Sequence, residues 1–159
     1  SAEDSKGLGL VGVAGRACAQ NCDVRCHYPT PFSETPDHAA IVEEDGDVFS
    51  RAMVRYREME ASINYVQHQL EQPLPAGDLK VATGALAPST LTVSMVEGWR
   101  GRVTHVAVTD KEGAFKRYKV VDPSFFNWNG LAMSLRNEQI SDFPLCNKSF
   151  NLSYCGFDI

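Results

Sequence analysis

A chain of 159 residues, 43% apolar and 22% charged, is sized for one ordinary domain with a real core. Its net charge of −5, with no basic run interleaved with aromatics, argues against a nucleic-acid binder. No apolar run reaches the roughly 18 residues that a membrane-spanning helix requires, so direct membrane insertion is not expected.

Five cysteines, at 18, 22, 26, 146 and 155, make an odd count without a secretory pattern ahead of them, which points to reduced thiols in a cytosolic compartment. Ser1–Lys6 is polar and expected to be disordered. Gly7-Leu8-Gly9-Leu10-Val11-Gly12 spells G-x-G-x-x-G, but the preceding Glu3-Asp4-Ser5-Lys6 is no buried strand. A dinucleotide turn needs such a strand, so the glycines read as a tight turn into packed backbone. Cys18, Cys22 and Cys26 recur every four residues, which would set three thiols on one helical face with His27 as the local fourth donor. No C-x-x-C pair supports that metal site, and free thiols are the expectation.

Residues 28–46 form a Pro-rich, acidic connector. The clearest helix runs Asp47–Gln72, with Phe49, Ala52, Met53, Tyr56, Met59, Ile63, Val66 and Leu70 in one stripe. Asp47 is its N-cap, and Pro73 with Pro75 closes it. Its arginines are expected on a solvated face, Arg55 near Glu58 or Glu60. Leu74–Ser94 reads as linker with a short apolar run at Leu91–Met95. Arg102–Thr109, a turn at Asp110-Lys111-Glu112-Gly113, and Ala114–Val121 make a hairpin. Asn127–Asn137 is a short helix burying Leu131, Ala132 and Leu135.

Across the last third, Glu97-Gly98-Trp99-Arg100-Gly101, the hairpin with His105 and Tyr118, Pro123, Asn127 and the tail Ser149-Phe150 follow one order. That order resembles the C-terminal part of the large subunit of [NiFe]-hydrogenases and of NADH:quinone oxidoreductase (complex I). Upstream, Gly15-Arg16 with Asp23-Val24-Arg25, and Gly46-Asp47 with Arg51, Arg55, Glu58, Met59 and Ser62, resemble the same family. The tail Asn147-Lys148-Ser149-Phe150-Asn151-Leu152-Ser153-Tyr154 looks most like the cysteine-less branch near the membrane-bound, energy-converting hydrogenases.

The resemblance implies an α+β fold, mainly helical with a β-hairpin, in a single domain over 1–159. It also implies a C-terminal fragment, because the family's upstream Arg-x-Cys-Gly-x-Cys motif is nowhere in the chain. Where the family places two nickel–iron cysteines, Ser153 and Gly156 stand instead, and Cys155 matches neither place. A hydroxyl is a hard, protonated donor and glycine supplies none, so no metal is expected at these positions.

Arg100 and Glu97 become vestigial active-site positions. Arg100 is expected to pair with Glu97 or Asp158, and Glu97 to be a surface turn residue, or a proton-relay carboxyl if buried. His105 is expected as a hydrogen-bonded core or interface residue. The family's cofactors are Ni-Fe or quinone, with iron–sulfur clusters in a partner subunit, and this fragment is expected to bind none of them. The implied partners are a small iron–sulfur subunit and other subunits of a membrane-bound complex. The implied place is cytoplasmic, peripheral to the inner membrane through those subunits. Two other readings remain: a non-redox scaffold subunit, or a metal-binding module built on Cys18, Cys22, Cys26 and His27, or on Cys146 and Cys155.

Overall fold

A computed structural model of the chain describes residues 1–29, 39–73, 77, 80 and 82–154. The elements in order are α1 (Ala2–Leu8), α2 (Gly12–Arg16), α3 (Val24–His27), α4 (Val48–Glu71), β1 (Leu91–Gly98), β2 (Gly101–Thr109), β3 (Phe115–Val121), α5 (Ser124–Ser134) and α6 (Phe143–Phe150). The α+β expectation stands. Residues 1–6, expected to be disordered, are helical: the Ser1 hydroxyl accepts from the Asp4 amide at 3.2 Å, and Gly9 closes α1 in the left-handed region.

The short helix α2 is the hub. All five of its residues are buried. Leu10 and Ala14 pack with Leu131 of α5 and with Cys146, Phe150 and Leu152 around α6, while Val13 and Ala17 meet Val54 of α4. Glycine is required where α2 starts. A Cβ on Gly12, whose φ is +59°, would sit 2.3 Å from the Gly101 Cα. Two bare backbones therefore touch, and the turn between β1 and β2 is pressed onto the start of α2.

The sheet is a three-stranded antiparallel meander, β1-β2-β3, with Gly98 opposite Gly101 and Thr104 opposite Val121. The hairpin of β2 and β3 is as expected, but β1 starts inside the Leu74–Ser94 stretch read as linker and runs on to Gly98. Leu91, Val93 and Met95 alternate with Thr92 and Ser94 as in a strand, but serine and threonine are also common in loops. Helix α5 begins three residues earlier than expected, just after Pro123, and of its expected apolar face Ala132 is exposed.

The bounds of α4 agree with the sequence, and Asp47 caps it by accepting from the Ser50 amide at 2.7 Å. Its orientation differs. The residues it buries are Ser50, Arg51 and Val54, and the apolar stripe lies on the outside.

Candidate functional site

The β1–β2 turn places Glu97 against the end of α2, where five charged side chains meet. Arg16, 1% exposed, donates from Nη1 to Glu97 Oε1 and from Nη2 to Glu58 Oε1, each at 2.8 Å. Asp23 lies 3.7 Å from Arg16 Nη1. Arg25 bonds the Asp23 carboxylate at 2.6 Å and reaches Glu58 at 2.7 Å. The second Glu97 oxygen accepts from the Val24 amide at 3.2 Å.

Two cations face three carboxylates, so the cluster carries one excess negative charge when all are ionised. Burial pushes the Glu97 carboxyl up, and this outweighs the pull of Arg16. Burial also acts to raise Asp23, but the bonds and charge of Arg25, with Arg16 behind them, hold it at about 2. The same bonds, from Asp23 and Glu58, raise Arg25 against its desolvation. Glu97 is thus the member disposed to take a proton, and Asp23 the one that keeps its charge. Glu97 is not a surface residue: its side chain is 3% exposed. Nor does it pair with Arg100, because Arg16 occupies it.

A second arginine group holds the tail. Arg51 donates from Nε to the Ser149 hydroxyl at 2.9 Å and lies 4.2 Å from the Phe150 ring centre. Arg55 donates to the carbonyls of Ser149 and Phe150, at 2.5 and 3.1 Å. Arg100 donates from Nε to the Asn151 carbonyl. Among the described residues none of these three has a carboxylate within ion-pair distance. Burial, then the charge of Arg51, lowers Arg55 to about 10. The expected solvated arginine face is therefore wrong: backbone carbonyls, not Glu58 or Glu60, receive Arg55. Carbonyls leave no trace in a sequence, so only the motif likeness could have singled these residues out.

Asn127 ties the group to α2. Its Oδ1 accepts from the Val11 amide at 3.0 Å, and its Nδ2 donates to the Val11 and Arg100 carbonyls, each at 3.2 Å. Ser153 then follows, its amide donating to the Ser124 hydroxyl at 3.0 Å. The turn bearing Arg100 and the tail bearing Ser153 are thus brought together.

The other candidates lie apart. Cys18, Cys22 and Cys26 do not share a helical face, because α2 ends at Arg16 and α3 starts at Val24. Cys18 is buried against Gly46, and Cys22 Sγ lies 3.8 Å from the Gly12 carbonyl. Burial raises both the Cys22 and Cys26 thiols, with Asp23 adding to it at Cys26. Among the described residues no three His, Cys, Asp or Glu side chains are grouped to hold a metal. His27 Nε2 is 2.8 Å from the Asn21 carbonyl, and His105 Nδ1 is 2.5 Å from the Tyr118 hydroxyl. His68 is exposed on α4. His38, Cys155, Gly156 and Asp158 fall outside the described residues.

An α+β chain that seats a Glu-x-x-Arg-Gly turn against an asparagine and a Ser-Phe tail has the build of a hydrogenase-type large subunit. The chain belongs to the family described as the 49 kDa subunit of respiratory-chain NADH dehydrogenase, whose model matches residues 1–90 and 78–158. It is 31% identical to the carbon monoxide-induced hydrogenase of Rhodospirillum rubrum over 95% of this chain and 42% of that protein. It is 31% identical to NADH-quinone oxidoreductase subunit 4 of Thermus thermophilus over 85% of this chain and 39% of that protein. Formate hydrogenlyase subunit 5 of Escherichia coli is 27% identical over 96% of this chain and 26% of that protein. The chain therefore spans about two fifths or less of these relatives' length.

Proposed function

We propose that this chain is the C-terminal part of the large subunit of a membrane-associated oxidoreductase, passing electrons between iron–sulfur clusters of partner subunits and quinone or a related acceptor without nickel. One observation carries the reading. The Arg100 turn and the tail carrying Ser153 meet, and Ser153 stands where the family resemblance would put the first ligand. The donor set does not fit a nickel–iron pair. Serine is not deprotonated near neutral pH, and the second place is glycine.

Arg16 pairs with Glu97, and the tail carbonyls accept from Arg55 Nη1 and Nη2 and from Arg100 Nε, so the side chains at the turn serve structure. The chain alone is catalytically silent, and its complex sits on the cytoplasmic side, peripheral to the membrane; no helix among the described residues is long and apolar enough to cross it. The test is hydrogen uptake by the full complex from nickel-supplemented cells. No nickel-dependent activity is expected, and deletion of the chain should abolish electron transfer to quinone. Robust nickel-dependent uptake would overturn the proposal. An intact complex with undiminished electron transfer after deletion would leave the scaffold reading in its place.

A further inference from the structure

Of the three carboxylates in the buried cluster, Glu97 is the least compensated. Glu58 accepts from both guanidiniums, at 2.8 and 2.7 Å, and Asp23 lies 2.6 and 3.7 Å from the two. Among the described residues Glu97 has only Arg16 within ion-pair distance, so the excess negative charge of the cluster falls on it. The other groups around it do not relieve that charge. Cys22, in the loop before α3, is held as a neutral thiol by burial. Arg102, opposite Glu97 in the β1–β2 ladder, stands over the Phe126 ring of α5, 5.4 Å from its centre.

The two oxygens of Glu97 hold different elements. Oε1 accepts from the charged Arg16 of α2 at 2.8 Å, and Oε2 accepts from the Val24 amide of α3 at 3.2 Å. Val24 is the first residue of α3, where an amide has no acceptor within its own helix. One carboxylate oxygen therefore joins the end of β1 to the start of α3. A proton added to Glu97 goes to Oε2, because Oε1 faces the guanidinium. Oε2 then carries a hydroxyl, and its bond to the amide loses the assistance of charge.

We infer that Glu97 is a proton-operated catch and the positioning residue of the Arg100 turn. Charged, it fastens the turn to both α2 and α3; protonated on Oε2, it keeps Arg16 and lets Val24 go. The step joins a solvent proton to the carboxylate to give the acid, and it brings the cluster from one excess negative charge to balance. Burial, against the pull of Arg16, places that step above the ordinary glutamate value of 4.5. Asp23, held at about 2, stays charged through it and keeps the neighbouring Arg25 amide at 2.9 Å. The two amides at the start of α3 thus respond differently to the same proton. Arg100 lies on the turn and holds the Asn151 carbonyl, so the catch acts on the tail. Its effect on electron transfer rests on the large-subunit reading above.

The test is amide exchange at single-residue resolution on the assembled complex, from neutral pH down to 4.5, corrected for the intrinsic pH dependence of exchange. Protection of the Val24 amide should fall about tenfold, the worth of one bond to a charged group, while that of Arg25 holds. Val24 protection that stays constant, or that falls together with that of Arg25, overturns the inference. In Glu97→Gln, neutral at every pH, the Val24 step should vanish. Electron transfer to quinone should then lose the acid limb that the unsubstituted complex shows, and coincident pH profiles overturn the positioning role. Should the variant fail to assemble, exchange on the unsubstituted complex decides alone. Nickel-dependent hydrogen uptake beside the expected Val24 step would sink the electron-transfer reading and leave the catch standing.

Discussion

Arg16 holds two carboxylates and lies near a third, so its loss is expected to cost more than that of any one of its partners. Replacing it by methionine fills the space but strands Glu97, 3% exposed, and leaves Asp23 and Glu58 to Arg25 alone. We expect Arg16→Met to lose about 3–5 kcal/mol in urea denaturation, and Glu97→Gln to lose clearly less. Asp23 adds a pH dependence. Its folded pKa lies below its ordinary 3.8, so its contribution is complete above that value and lost as pH falls through about 2. That contribution is about 2 kcal/mol, and Asp23→Asn should remove it from the acid limb of the stability profile. Glu97 acts in the opposite sense, because its raised pKa favours folding at acid pH and the benefit fades as pH rises through that value. Glu97→Gln should therefore flatten the decline toward neutral pH. None of this pairing was legible locally, since Arg16 and Glu97 lie 81 positions apart. The motif likeness noted both residues, but matched Glu97 with the arginine nearest in sequence.

At the scale of elements, the close approach of α2 and the β1–β2 turn is the joint on which the site depends. Gly12→Ala would drive a methyl group to 2.3 Å from Gly101 at a φ of +59°, and should cost about 3 kcal/mol or prevent folding. Asn127→Leu keeps bulk but orphans the Val11 amide, with an expected loss of about 1–3 kcal/mol on thermal or chemical unfolding. The helix bounds of α4 and the turn of the β2–β3 hairpin were readable from capping residues, prolines and alternation, which act over a few residues. The direction α4 faces was not readable. Its inner side carries Arg51 and Arg55, held by carbonyls and an aromatic ring, so polarity points away from the true interior. The strand β1 was missed although Thr92 and Ser94 complete its alternation, because it follows a long Gly-, Ala- and Pro-containing stretch that reads as linker.

At the scale of the molecule, apolar surface lies open in more than one place. The apolar stripe of α4 is bare, and Leu91 and Val93 of the edge strand β1 are 66% and 53% exposed. Contiguous apolar patches of this kind belong to surfaces that partners cover. The 159-residue chain alone should therefore bind an apolar dye and self-associate on sedimentation, while the assembled complex does neither. The tail clamp bears on how the molecule is made. Arg51 and Arg55 gain their acceptors from Ser149 and Phe150, nearly a hundred positions downstream. Until that segment is made, the donors aimed at it are left to water, with the Gly46 and Arg51 carbonyls as their other acceptors. A stop codon before Ser149 would remove those acceptors and is expected to raise the chain's susceptibility to proteases, even with every residue of the upstream ion cluster intact.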